Sequence, residues 1–250
     1  MKLALVTGGS RGLGKSISLH LAQKGYDIFL TYKNSKTEAE KVVHEIESQG
    51  RRAIAFQLDV ADTSAFSSFV EEMSHALNTH WNGAKVDLLI NNAGIGINAS
   101  CAETTESQFD ELMNIHLKGP FFLTQKIVPY LNDGGQILNL SSGLTRFSLP
   151  GFGAYSAMKG AIEVLTRYLA LELGNRNITV NVIAPGAIET DFGNGVVRDN
   201  PDANAFIASQ IALGRAGLPN DIGAAVAAIA SDDCHWINGQ RIEISGGMRL

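Results

Sequence analysis

Tyr155-Ser156-Ala157-Met158-Lys159 opens a strongly helical pattern. Side chains four apart share a helix face, so the Lys159 ammonium falls near the Tyr155 ring. A free tyrosine titrates at about pH 10 and moves protons poorly at neutrality, and a neighbouring cation lowers that value. Alone, such a pair reads as surface decoration. Ser142 lies 13 residues before Tyr155, just after the strand-like Ile137-Leu138-Asn139-Leu140. A Y-x-x-x-K pair arises easily by chance, so the rest of the chain has to decide.

The second chemical feature is Thr7-Gly8-Gly9-Ser10-Arg11-Gly12-Leu13-Gly14-Lys15-Ser16. A Gly-rich turn from a strand into a helix N-terminus is an anion site, because outward N–H groups and the helix dipole both favour negative charge. Two motifs fit it. Gly9 with Gly14-Lys15-Ser16 matches a nucleoside-triphosphate loop, with Lys15 on the phosphates and Ser16 on Mg²⁺. Gly8, Gly12 and Gly14 instead match a dinucleotide turn, in which Lys15 and Ser16 carry no chemistry. Asp59 could serve as the second Mg²⁺ ligand of the first reading, but no water-positioning residue or arginine finger stands out. The turn alone leaves both open.

These groups need a scaffold. Strand-like runs lie near 2–7, 26–32, 52–58, 86–90, 135–140, 178–183 and 240–244, with helical patterns near 13–24, 36–49, 63–79, 106–130, 154–174 and 219–230. Runs apolar on both faces, such as Asp87-Leu88-Leu89-Ile90, suit a parallel sheet covered on both sides. Repeated β-then-α order predicts right-handed crossovers in one doubly wound α/β domain of 250 residues. The segment 187–213 breaks the rhythm. It carries Gly193, Gly195 and Pro201 together with Phe192, Val196, Val197, Phe206 and Ile207, and is expected to be an apolar lid over a pocket.

Composition narrows the partners. With 20 Lys and Arg against 25 Asp and Glu the formal charge is −5, which argues against nucleic acid. No apolar run reaches membrane-span length, and Leu3-Ala4-Leu5-Val6 is too short for a signal-peptide core. Cys101 and Cys234 read as cytoplasmic thiols, and no Cys/His spacing suggests a metal. The 26 glycines show no collagen-like period and are expected at turns and close approaches.

Taken together, Thr7–Gly14, Leu58-Asp59-Val60, Asn91-Asn92-Ala93-Gly94, Met113-Asn114-Ile115-His116-Leu117-Lys118-Gly119, Ser142, Tyr155/Lys159, Asn181–Gly186, Gly214–Pro219 and Asn238-Gly239-Gln240 … Ser245-Gly246-Gly247 resemble the short, single-domain branch of the short-chain dehydrogenase/reductase family. The resemblance spans essentially the whole chain and extends in a general way to 3-oxoacyl-carrier-protein reductases. It implies a Rossmann-type, seven-stranded parallel sheet with helices on both faces. It also implies a catalytic tetrad of Asn114, Ser142, Tyr155 and Lys159. In it Lys159 also binds the nicotinamide ribose, and Asn114 opens its helix and positions a water that feeds protons to the lysine. Cofactor contacts are implied at Gly8, Ser10, Arg11, Gly12, Leu13, Gly14, Asp59, Val60, Asn91, Ala93, Gly94, Pro185, Gly186, Ile188 and Thr190. Helices near 106–130 and 154–174 are apolar on more than one face, and because members of the family pair these helices across a twofold axis, the resemblance implies a homotetramer.

The ribose-binding acid expected at the end of the second strand is replaced by Tyr32, followed by Lys33 and Asn34. Arg11 and Lys33 could converge on a 2′-phosphate, with Asn34 adding a hydrogen bond, so NADP(H) is expected over NAD(H). Gly96, Leu144, Phe152 and Phe192 are expected to line an apolar substrate pocket, and Arg146 is read as a surface arginine or a partner for an anionic group. The expected activity is reduction of a largely apolar ketone or 3-oxoacyl compound. The alternatives are a phosphate-loop NTPase and a catalytically silent NADP-sensing module.

Overall fold

The computed structural model describes residues 1–250. Its centre is one sheet of seven parallel strands in the order β3-β2-β1-β4-β5-β6-β7. They are β1 (Lys2–Val6), β2 (Tyr26–Tyr32), β3 (Ala53–Gln57), β4 (Val86–Asn91), β5 (Leu131–Leu140), β6 (Thr179–Pro185) and β7 (Arg241–Ile244). The chain fills one half outward from β1 to β3, then returns to lay β4 beside β1. That reversal opens a crevice at the C-terminal ends of β1 and β4, where open α/β sheets bind ligands.

Strand alternation distributes the core. Leu3, Leu5 and Phe29 face one layer, in which α3 (Phe66–Trp81) contributes Phe66, Met73 and Trp81 and α5 (Gly119–Ile127) contributes Leu123 and Ile127. Ala4, Val6, Ile28 and Leu30 face the other, against Ile17 and Leu21 of α1 (Gly12–Gln23), Val42 and Ile46 of α2 (Lys36–Ser48) and Val226 of α9 (Pro219–Ile229). Burial on both faces is why these strands read as continuous apolar runs.

The helical pattern expected over 106–130 is interrupted. Here α4 (Glu106–Met113) passes into a π turn, Asn114–Lys118, before α5. The Gly119 N–H donates to the Asn114 carbonyl. A Cβ on Gly119 would lie 2.2 Å from the Val60 carbonyl oxygen, so only glycine lets this helix sit so close to the β3 loop. The segment 187–213 is not an extended loop: a short turn over Phe192–Gly195 leads into α7 (Val196–Asp199) and α8 (Pro201–Ala208). The long α6 (Gly153–Glu172) lies between β5 and β6 in the chain.

Candidate active site

After β1 the chain turns sharply, and Gly8 and Gly12 adopt φ of +65° and +54°, where glycine is at ease. A Cβ on Gly14 would meet the Gly8 carbonyl oxygen at 2.1 Å. Arg11, extended at the N-cap of α1, makes no side-chain cap. The first N–H groups of the helix are therefore left to a ligand. Ser10 is buried, and Leu13 packs on the core beneath the turn. The Asn92 amide donates to the carbonyls of Thr7 (2.8 Å) and Gly8 (3.2 Å), while the Thr7 hydroxyl accepts from the N–H groups of Asn92 and Ala93, both at 3.0 Å. The turn and the end of β4 are thus held together as one unit.

The competing phosphate-loop geometry does not form. Lys15 Nζ lies 2.7 Å from Glu45 on α2, and the Ser16 hydroxyl donates to Asn220 on α9 at 3.0 Å. Both point into helix packing rather than toward the turn. Asp59 pairs with Lys33 at 2.7 Å and accepts from the Ala61 N–H at 3.0 Å.

Tyr32 is buried at the end of β2, with Lys33 and Asn34 exposed beyond it. Arg11 faces Asp191 at 3.7 Å. Gly186 packs on Ser245, Ile188 bridges to Gly217, and Thr190 stands 3.7 Å from where a Gly12 Cβ would be. Pro185 and Val60 are buried beneath. The Asn91 amide donates inward to Thr124 (3.0 Å) and Asn139 (2.8 Å), joining β4 to α5 and β5.

Burial governs the chemistry of Tyr155 and Lys159. The Lys159 ammonium is 5% exposed. It donates to the Leu140 carbonyl at 2.7 Å and stands 5.7 Å from the Tyr155 ring centroid. Burial lowers its pKa to about 7. Burial also pushes Tyr155 up to about 12, against an opposing hydrogen bond with the Ser142 hydroxyl. The sequence led to the expectation of a phenol lowered by Lys159; in the structure desolvation is the largest influence on it and acts upward.

The Ser142 loop is held from behind. Glu163 Oε1 accepts from Ser141 (2.6 Å), Thr145 (2.7 Å) and Arg241 (2.9 Å), and Arg241 also donates to the Ser142 carbonyl at 3.2 Å. Arg146 faces no pocket. It grips Glu243 through two bonds of 2.8 and 2.9 Å and the Arg249 carbonyl at 2.7 Å, fastening the C-terminal segment. Phe152 and Phe192 flank the Tyr155 ring with centroids 6.4 and 5.7 Å away. Gly96 lies under Phe192, where a Cβ would come within 2.7 Å, and Leu144 joins the apolar cluster around Tyr155.

Asn114 begins the π turn at which the helix opens, and it borders a surface cleft with Lys33, Glu106, Asp110 and Glu111. Two residues on, across the π turn, His116 is the side chain that meets Tyr155, edge-on at 5.2 Å. His116, Asn92, Glu163 and Arg241 are the site residues that motif spacing missed. Only Asn92, beside Asn91 in a strand-end pair, carried a signal.

Comparison with known proteins agrees with this geometry. The family described as enoyl-(acyl carrier protein) reductase matches residues 8–249. A 3-oxoacyl-[acyl-carrier-protein] reductase of Staphylococcus epidermidis is 39% identical, covering 100% of this chain and 99% of its own. Versicolorin reductase of Emericella nidulans is 36% identical over 98% of this chain and 95% of its own. The crystal structure of an angucycline C-6 ketoreductase with bound NADP superposes with a TM-score of 0.94 at 34% identity, covering 100% of this chain and 96% of that one. With the glycine turn, the crevice and the Ser142–Tyr155–Lys159 cluster in one place, the chain belongs to the short-chain dehydrogenase/reductase family and is an oxidoreductase.

Proposed function

We propose that the protein is an NADP(H)-dependent reductase of a largely apolar ketone or 3-oxoacyl compound, forming a secondary alcohol. The observation that carries this reading is the buried Tyr155 with the Lys159 ammonium 5.7 Å from its ring centroid, packed with Leu144 of the Ser142 loop. When bound, the cofactor supplies hydride to the carbonyl carbon. Ser142 holds the carbonyl oxygen as charge builds on it. Tyr155 gives that oxygen its phenolic proton. Lys159, beside the ring, stabilises the phenolate left behind. The first turn of α1 and Thr190 hold the pyrophosphate, and Arg11 and Lys33 take the 2′-phosphate. Phe152, Phe192, Leu144 and Gly96 exclude water from an apolar substrate, with the 187–213 segment as its lid. The relatives bearing ketoreductase and 3-oxoacyl reductase names support this substrate class.

The assembly we infer is a homotetramer in the cytoplasm. Exposed apolar side chains include Phe109, Phe121, Phe122, Val164, Tyr168 and Leu171 on α4, α5 and α6. Such patches mark interfaces. Both cysteines are free thiols, and no helix is long and apolar enough to cross a membrane.

The test is NADPH oxidation across a panel of ketones and β-ketoacyl thioesters, with Tyr155→Phe as the control. Turnover should fall by roughly 10²–10⁴-fold in the variant while NADPH still binds. Undiminished turnover in Tyr155→Phe would remove the tyrosine from the mechanism.

A further inference from the structure

One buried titratable side chain beside Tyr155 has no part in that scheme. His116 is 2% exposed, and its Nε2 lies 2.8 Å from the Ile95 carbonyl oxygen and 3.3 Å from the Ile95 N–H nitrogen. The shorter contact is to an acceptor, so Nε2 carries the proton and donates it. Nδ1 is then a bare lone pair, and it is buried with no protein partner. Buried acceptors are rarely left so. It lies beside Gly94, where a Cβ would stand 3.3 Å from Nδ1 and 2.7 Å from Cε1 of the same ring. Gly94 in turn borders the crevice between β1 and β4.

We propose that His116 is a positioning residue for Tyr155 and Lys159: a neutral imidazole whose Nε2–H holds the Gly94–Ile95 chain and whose Nδ1 accepts a hydrogen bond from a water in the catalytic crevice. This rests on the reading of Tyr155 as the proton donor. The neutral form is essential, because protonation would set a second cation in the same buried space as Lys159. Burial first, and Lys159 second, hold the imidazole well below the ordinary histidine range, against the opposing bond to Ile95. The titratable groups facing it are Tyr155 and Lys159 from α6. The Gly94–Ile95 chain brings only backbone and apolar atoms, and Lys118 on its own turn is exposed.

Two substitutions separate this role from a merely structural one. In His116→Gln the side-chain amide reaches Ile95 but leaves no acceptor at Nδ1. In His116→Asn an amide oxygen stands at Nδ1 while the reach to Ile95 is lost. Neither titrates. The acceptor role predicts that His116→Gln loses kcat about tenfold more than His116→Asn, one hydrogen bond's worth, with KM for NADPH unchanged in both. The proposal further predicts an acid-side fall in the wild-type kcat that both variants lack. The reverse ranking, or acid limbs that superimpose on the wild type, overturns the proposal. Nitrogen NMR of the wild-type imidazole gives a second readout free of turnover. At neutral pH it should show Nε2 protonated and Nδ1 bare, and the opposite tautomer overturns the proposal even if the variants do not fold. If Tyr155→Phe keeps full turnover, the underlying reading of the site fails instead, whatever His116 does.

Discussion

Asp27 and Lys159 are both charged side chains buried at the ends of the same sheet, 2% and 5% exposed respectively. At the N-terminal end of β2, Asp27 is surrounded by donors. Arg51 and Arg52 pair with it at 2.8 and 2.9 Å, the Trp81 indole donates at 2.8 Å, and the Arg52 backbone N–H donates at 3.1 Å. Burial alone would raise its pKa, but these donors together hold it below the ordinary carboxylate value. At the C-terminal edge Lys159 has one carbonyl and one aromatic ring as neighbours. Glu163, one helical turn away, is bound to Arg241. The first end satisfies its charge and contributes to stability, whereas the second leaves its charge uncompensated. Perturbed, uncompensated groups gather where chemistry is done.

The largest effect should come from replacing the uncompensated charge. Lys159→Met should lower turnover by roughly 10²-fold or more, yet raise thermal stability. The sign follows from protonation. Lys159 takes up its proton near pH 10.5 when unfolded and at about 7 when folded. Between those values the unfolded chain holds more protons, so the native state gains stability as pH rises. Below about 7 the full penalty is present, on the order of a few kcal/mol. The variant's advantage in melting temperature should thus be widest near neutral or mildly acid pH and shrink in alkali. A variant less stable than wild type throughout would mean that Lys159 is effectively compensated after all.

At the other end the effects should invert. Asp27→Ala leaves two guanidinium groups and an indole N–H without their acceptor, a loss of roughly 3–5 kcal/mol for a broken buried pair. The kcat and KM of the folded fraction should be unchanged, because the sheet separates Asp27 from the crevice. The stability that Asp27 contributes is present above its unfolded pKa of 3.8 and lost as pH falls through the lower folded value. The gap between wild type and Asp27→Asn in a denaturant titration should therefore close in strong acid. A fall in kcat at neutral pH would show the two ends to be coupled.

The same contrast explains what the sequence disclosed. Strands such as Tyr26–Tyr32, buried at all seven positions, announce themselves because periodicity is a local property. The glycine turn and the Tyr155–Lys159 spacing are local as well. His116 was hidden because its role depends on the hand of a π turn, which no apolar period reveals. Glu163 and Arg241 lie 78 residues apart and meet only because β7 docks beside β6. The Tyr155 pKa went the wrong way for a related reason: spacing places a cation near the ring, but only packing shows how little water remains.

The smallest change in stability, and the sharpest test of cofactor choice, lies at the rim. Arg11 and Lys33 have side chains 66% and 54% exposed, held by Asp191 and Asp59. Exposed pairs of this kind contribute at most about 1 kcal/mol, so Arg11→Ala with Lys33→Ala should barely move the melting temperature. Charge-assisted bonds to a 2′-phosphate are stronger, at roughly 1.5–3 kcal/mol each, and they must outcompete the two carboxylates. The double variant should therefore raise KM for NADPH by at least about tenfold and leave KM for NADH nearly unchanged. Equal losses for both cofactors would place these cations on the shared pyrophosphate rather than on the 2′-phosphate. A large loss of stability would place them with Asp27, among the charges that hold the fold.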